Sequence, residues 1–457
     1  MWLPISPAFR AEAAANLKLA LPLIGAQIAA VGMGTVDTIF AGQLGPQALA
    51  AVAVGVNLNV LFLVFFMGLL MACSPIVAQM VGAARPAADI GAFMRRARCF
   101  ALGCGLVWML LVNVSAAPVL SNLNLAPDTV RQAITFERWL SASGVGLSLW
   151  FSLRFSAEGL GQVRPIVVAS MIGLAANAVL DWLFVFGHFG LPKLGVLGFG
   201  LATTLSSALM AALLWAQYRR IPELRGLGVG VLSRDATEGA RDILRLGLPI
   251  ALIVLAEGGL FVLTAFLMAR FGDAIVAAYQ VAINFASLVF MIPLGVAMAT
   301  TVRVGHAAGA GDHAAARYRG LVGIRLGGFN AASNATLMLL FPLTIAGFYT
   351  NDAGIQAQAA GFLLLAAAFQ LFDGVQATAS GALRGLKDTR MPMVITLVSY
   401  WLIGMPVAWW LAFHLRQGPP ALWWGLTAGL GMAALGLTLR FRHKSNKQIR
   451  ISNKTAA

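Results

Sequence analysis

The chain has 457 residues, 59% of them hydrophobic and only 11% charged, with a net charge of +15. A soluble protein would carry about 25% charged residues, so this composition excludes the ordinary soluble classes and indicates a polytopic helical membrane protein. The positive balance does not mark a nucleic-acid partner, because most Lys and Arg fall in short connections beside alternate ends of the apolar runs, as topology signals do.

Taken in chain order, the apolar runs predict twelve membrane helices, near 17–41, 48–72, 93–115, 136–157, 165–187, 196–217, 246–270, 277–300, 321–347, 358–382, 392–414 and 420–440. The first run is too long for a signal peptide and lacks a small-residue cleavage site, so it reads as a membrane span. The tails and even-numbered connections hold 27 of the 32 Lys and Arg residues, and the odd-numbered connections hold the other 5. The positive-inside rule then places both termini in the cytoplasm. The implied organisation is a cytoplasmic segment 1–16, a six-helix bundle 17–217, a basic cytoplasmic linker 218–245, a second six-helix bundle 246–440 and a basic cytoplasmic tail 441–457. Cys73, Cys99 and Cys104 lie in or beside apolar runs; their odd number argues against a disulfide framework.

The two halves repeat. Leu17-Lys-Leu-Ala-Leu-Pro22 matches Leu244-Arg-Leu-Gly-Leu-Pro249, an offset of 227, and at that offset Gly45 meets Gly272, Asn57 meets Asn284 and Gly82 meets Gly309. Two six-helix repeats of equal orientation imply an all-α fold with a pseudo-two-fold axis along the membrane normal, a plan suited to alternating access.

Four acids interrupt the apolar runs: Asp37, Asp181, Glu257 and Asp373. A carboxylate at the bilayer centre costs about 2.5–3.5 kcal/mol on insertion scales, so such residues commonly mark ion, proton or substrate pathways. Asn177 precedes Asp181 by one turn on the same face. With Asp37, and with Thr203 and Thr204 in the next span, these make an oxygen-rich group suited to a proton or a hard cation such as Na+. In the second half, Glu257 and Asp373 lie near mid-span, and Gln280, Asn284 and Ser287 share one face of the eighth span. No Lys or Arg is expected near the depth of that acid pair. The acids are not repeat partners, since Asp37 aligns with Thr264 and Glu257 with Ala30, so each half carries its own acidic site.

Abundant Phe, Met and Trp would favour lipophilic organic cations in an acidic cavity. Pro22, Pro249, Pro293 and Pro406 fall within or at the start of spans, where proline bends helices. His188, His306, His313, His414 and His443 show no catalytic spacing, and no enzyme activity or bound cofactor is expected.

These motifs resemble the multidrug and toxic-compound extrusion family, in its NorM-type bacterial branch, over residues 15–440. The resemblance rests on the opening LALPLIGAQIAAVGMGTVDTIFAGQLGPQALAAVAVG, on Pro75-Ile-Val-Ala-Gln79 with Gly82, and on Gly187-His-Phe-Gly-Leu-Pro192-Lys-Leu-Gly195 with Gly198 and Gly200. It also rests on Ala277-Ala-Tyr-Gln280, Met291-Ile-Pro293 and Ala382-Leu-Arg-Gly385. It implies Na+- or H+-coupled export of varied, often cationic drugs and dyes by a monomer in the bacterial inner membrane. It also implies coupling-ion or substrate roles for Asp37, Glu257 and Asp373. The Asn177–Asp181 pair departs from the NorM pattern, which commonly has Asn at the second position. That leaves Na+ at Asp37, Asn177 and Asp181, Na+ at Glu257 and Asp373, and protons in either place as open alternatives. A lipid-linked oligosaccharide flippase shares this architecture, but it would want basic rather than acidic deep residues.

Overall fold

The computed structural model describes residues 6–122, 126–220 and 236–456. The middle of the expected linker, 221–235, lies outside the described residues, as do 1–5 of the amino-terminal segment and Ala457 of the tail.

Among the described residues the chain is entirely helical. The elements are α1 (Pro7–Leu44), α2 (Pro46–Leu70), α3 (Cys73–Gly82), α4 (Ala87–Leu120), α5 (Pro127–Ser141), α6 (Ser143–Gly159), α7 (Arg164–Phe186) and α8 (Val196–Arg220). They continue with α9 (Ala236–Ala269), α10 (Asp273–Gly309), α11 (His313–Leu340), α12 (Pro342–Gly347), α13 (Ala353–Gly385), α14 (Arg390–Leu397), α15 (Met405–Trp409) and α16 (Pro420–Ala456). The expected twelve spans are present, several of them built from more than one segment. The joins have local causes. Pro75 has no N–H to offer the carbonyl of Met71, which accepts from Ser74 instead (3.2 Å), and α2 gives way to α3 there. Pro342 likewise forces the break between α11 and α12. Around Pro406 the eleventh span widens into π-helical turns at Val398–Gly404 and Trp410–His414, the usual response to a displaced backbone bond.

Ten spans are long and apolar enough to cross a membrane on length and composition. The other two expected, α5–α6 and α11–α12, are more polar. Polar side chains face the interior there: Glu137, Ser141, Ser148 and Ser152 in α5–α6 and Asn334 in α11 are all buried.

The chain divides into two compact units, and the division does not follow the linear halves. Unit one joins Met1–Ile24 to Leu252–Ala457, and unit two is Gly25–Ala251. Both crossings fall inside helices, just after Pro22 in α1 and Pro249 in α9. They are repeat-equivalent, since 251 − 24 = 227.

Each exchanged end is secured in its unit. In unit one, Arg303 Nε donates to Glu12 (2.8 Å), Arg319 stands 3.8 Å from the same carboxylate, and Asn16 Nδ2 donates to Thr300 Oγ1 (3.0 Å). Ala20 and Ile24 pack with Val296 and Ala299. In unit two, Gly247 lies so close to the backbone of Leu69 that a Cβ would collide with its carbonyl, and Gly68 is equally tight against Ala251. Arg154 donates to Gln27 and pairs with Glu158 (3.0 Å), with both charged side chains almost fully buried.

Candidate functional site

In unit two, α1 and α7 run parallel. Gly25 contacts Val167 and Gly32 contacts Leu174, both at an offset of 142. Glycine at 32 and 173 permits this approach, with Leu174 3.3 Å from a Cβ on Gly32 and the Met33 methyl 3.4 Å from one on Gly173. Extending the register puts Asp37 level with position 179, between Asn177 and Asp181. Its carboxyl is turned to both of those side chains. Asn177 is 1% exposed and Asp181 0%, while Asp37 and Thr203 are half-buried. Thr203 comes from α8, which packs along α7.

The polar atoms of this group are not consumed by one another. Asp37 Oδ1, both oxygens of Asp181, both amide atoms of Asn177 and Thr203 Oγ1 are buried without a formed hydrogen bond among the described residues. Buried polar atoms of this kind call for a partner such as water or an ion. Thr204 is different: its hydroxyl is spent on the carbonyls of Gly200 (2.8 Å) and Trp139 (3.1 Å). One turn beyond the acids, towards the Leu44 and Phe186 ends, Phe40 and Phe186 meet edge-to-face at 5.6 Å.

In unit one, α9 and α13 bring the other two acids together. Phe261, one turn after Glu257, meets Phe369, one turn before Asp373, edge-to-face at 5.8 Å. Matched offsets of opposite sign mean antiparallel helices with the carboxyls level. Asp373 is 4% exposed and lies within electrostatic reach of Glu257, which is half-buried. Asp373 Oδ1 has no hydrogen-bond partner among the described residues.

Sequence reasoning missed two contributors. Tyr400, in the first π-helical turn, is fully buried, lies within electrostatic reach of both acids, and has an unsatisfied hydroxyl. Its distance along the chain from either acid hid it; the nearby Pro406 was the available signal. Arg384 of α13 also acts on Glu257 through space. It stands eleven residues beyond Asp373 on the same helix, about 16 Å along its axis, so it acts from another depth.

Gln280, Asn284 and Ser287 do share a face of α10, but all three are exposed. Asn284 accepts from the Tyr349 hydroxyl (3.1 Å). Gln370, not Gln280, is the buried amide beside this region. It is 1% exposed, donates to Ala286 (3.3 Å) and leaves its own oxygen unsatisfied. Among the described residues no group of three or more His, Cys, Asp or Glu side chains gathers as a metal-binding cluster.

Comparisons with known proteins agree with this architecture. The family model described as MatE matches twice, at residues 22–183 and 249–410, and the two matches are again offset by 227. A protein named "Probable multidrug resistance protein NorM" from Xanthomonas campestris pv. campestris is 39% identical over 97% of this chain and 96% of its own length. A protein of the same name from Pseudomonas aeruginosa is 38% identical over 95% of this chain and 90% of its own. Among solved structures, the eukaryotic MATE transporter AtDTX14 superposes with a TM-score of 0.85 over 97% of this chain and 99% of its own at 21% identity, a likeness of fold.

Proposed function

Because this chain belongs to the MatE family, we propose that it is a multidrug efflux transporter, exporting lipophilic and often cationic compounds in exchange for Na+ or H+. The observation that carries the coupling is the pair of acidic groups held inside membrane spans with unsatisfied oxygen atoms, above all Asp37, Asn177, Asp181 and Thr203. An inflowing cation satisfies these atoms and removes the cost of isolated charge in a low-dielectric interior. Glu257 and Asp373, with Gln280 and Asn284 on the neighbouring exposed face, supply the second locus for ion or drug. The names of the relatives support the substrate class.

In this reading both termini are cytoplasmic, the protein sits as a monomer in the bacterial inner membrane, and lipid surrounds its apolar helices. An external cation entering the acids favours the state that releases drug outwards, and its loss to the cytoplasm resets the cycle. Each charge that crosses contributes about 2.3 kcal/mol per 100 mV of membrane potential. The acids, rather than Lys or Arg, at these depths speak against a pyrophosphate-lipid substrate.

The deciding experiment is ethidium transport in inverted vesicles, comparing an imposed Na+ gradient with an imposed pH gradient. Transport driven by one or both supports antiport. Dye movement indifferent to both gradients overturns it.

A further inference from the structure

The least apolar membrane element, α5–α6, carries a buried polar stripe that the acidic groups above do not use. Glu137 and Ser141 of α5, and Ser148 and Ser152 of α6, stand four residues apart, on one face of each helix. All four are within 1% of complete burial. The stripe faces α2 and α4. Glu137 Oε1 lies 3.0 Å from where a Cβ on Gly55 of α2 would stand, so the glycine makes room for it. Ser141 Oγ accepts from Asn113 Nδ2 of α4 (2.8 Å). Between Ser141 and Ser148, Gly144 is covered by Trp108 of α4, whose Nε1 donates to Asn59 of α2 (2.9 Å).

Some of these groups have no partner. Both oxygens of Glu137 and the hydroxyls of Ser148 and Ser152 lack hydrogen bonds among the described residues. Among the described residues no counter-charge faces Glu137. α2 contains no ionisable residue, and the ionisable residues of α4 extend no further than Cys104, short of Trp108 and Asn113. Those of α8 begin at Tyr218, and those of α6 are Arg154 and Glu158, beyond Ser152. On α5 itself, Arg138 is exposed, and Asp128 and Arg131 pair with each other (2.6 Å) on the surface. A bare carboxylate held this way is costly, and even its neutral form must place an O–H on an acceptor. Leucine at 137 would remove the cost.

We propose that Glu137 is a proton-binding site of unit two, separate from Asp37 and Asp181. A proton from bulk water joins the carboxylate and makes a carboxylic acid. Its O–H donates to a buried water, a role that waters with about three polar partners commonly fill. Release reverses the same step. A proton is favoured over Na+ because the site offers a single carboxylate, too few oxygen donors for a bare hard cation.

The test is infrared difference spectroscopy of the full-length protein in lipid nanodiscs during a pH titration, in H2O and D2O. Wild type shows a buried carboxylic-acid C=O band that shifts in D2O. Glu137→Gln removes that band and lowers proton uptake by about one per chain, and Asp37→Asn leaves it in place. If Glu137→Gln does not fold, Glu137→Asp keeps the carboxyl and displaces the band. A folded Glu137→Gln protein with the wild-type spectrum, or a Glu137 band insensitive to D2O, overturns the proposal. The readout does not depend on which ion drives efflux, so it stands apart from the antiport reading.

Discussion

The acidic groups of the two units are built differently on a duplicated frame. In unit two, parallel α1 and α7 present Asp37 between Asn177 and Asp181, with a hydroxyl from α8 alongside. In unit one, antiparallel α9 and α13 set Glu257 level with Asp373, beside a buried tyrosine and within reach of Arg384. Both acid pairs are closed on one side by an edge-to-face Phe pair, Phe40–Phe186 and Phe261–Phe369. Duplication therefore preserved the frame, including the prolines and the points where the units exchange helix ends, while the polar chemistry diverged. An oxygen-rich pocket without a basic group suits a small cation. An acid pair tempered by a guanidinium and flanked by aromatic rings suits an exchange between cation and organic molecule.

The largest expected effect separates the two groups by function. Asp37→Asn or Asp181→Asn should cut dye efflux by about tenfold or more under every gradient, given the ~2.3 kcal/mol per 100 mV carried by each coupled charge. Glu257→Gln or Asp373→Asn should do so in a manner that depends on the drug. Efflux assays in cells with matched expression decide this, and uniform losses for all drugs in all four variants would erase the contrast.

The exchanged ends sharpen it next. Arg154→Ala removes the ion-pair partner of Glu158, whose side chain is 2% exposed, and should cost about 3–5 kcal/mol, as broken buried pairs do. Arg303→Ala removes the nearer of the two arginines that face Glu12, at a site where the Arg303 and Glu12 side chains are 23% and 11% exposed, and should cost about 1 kcal/mol. Thermal melting in detergent ranks the two, and equal losses would contradict the burial difference. Gly247→Ala drives a methyl into the backbone of Leu69 and should cost about 1–3 kcal/mol. Gly295→Ala meets mainly Ile24 Cγ1 at 2.5 Å, a side chain that can turn aside, so its cost should be smaller.

The smallest effect on stability is expected at Tyr400. Its buried hydroxyl is unsatisfied, so Tyr400→Phe should leave melting within about 0.5 kcal/mol of wild type, because no hydrogen bond is lost. Efflux should nevertheless change for drugs handled by Glu257 and Asp373. A variant with normal transport would exclude Tyr400 from that group.

Much of this was legible before any coordinates. Twelve spans follow from apolar runs because lipid demands them, and Asn177 and Asp181 announce a shared face by their spacing. The meeting of Glu257 with Asp373 was visible only as a match of depth. What brings them together is the antiparallel packing of α9 and α13, a tertiary fact. Tyr400 was hidden because its orientation depends on a π-helical turn. Arg384 was hidden because charge acts across several turns of helix. Gln280 and Asn284 share a face as their spacing requires, but periodicity alone does not say whether a face is covered. Glu137 gave no such sign, because its burial depends on the room that Gly55 of α2 leaves for it, a tertiary fact.

The crossing of helix ends between units has a consequence for biogenesis. Residues 6–24 leave the ribosome first, yet the groups that hold them, from Val296 to Arg319, are translated after more than half the chain. The earliest segment therefore waits in the bilayer until its late partners arrive. Nor is the first half complete alone, since Gly247 and Ala251 are synthesised beyond the connection that follows α8. Cutting the chain within 221–235 would yield two polypeptides that mature only when co-inserted, each finishing the other.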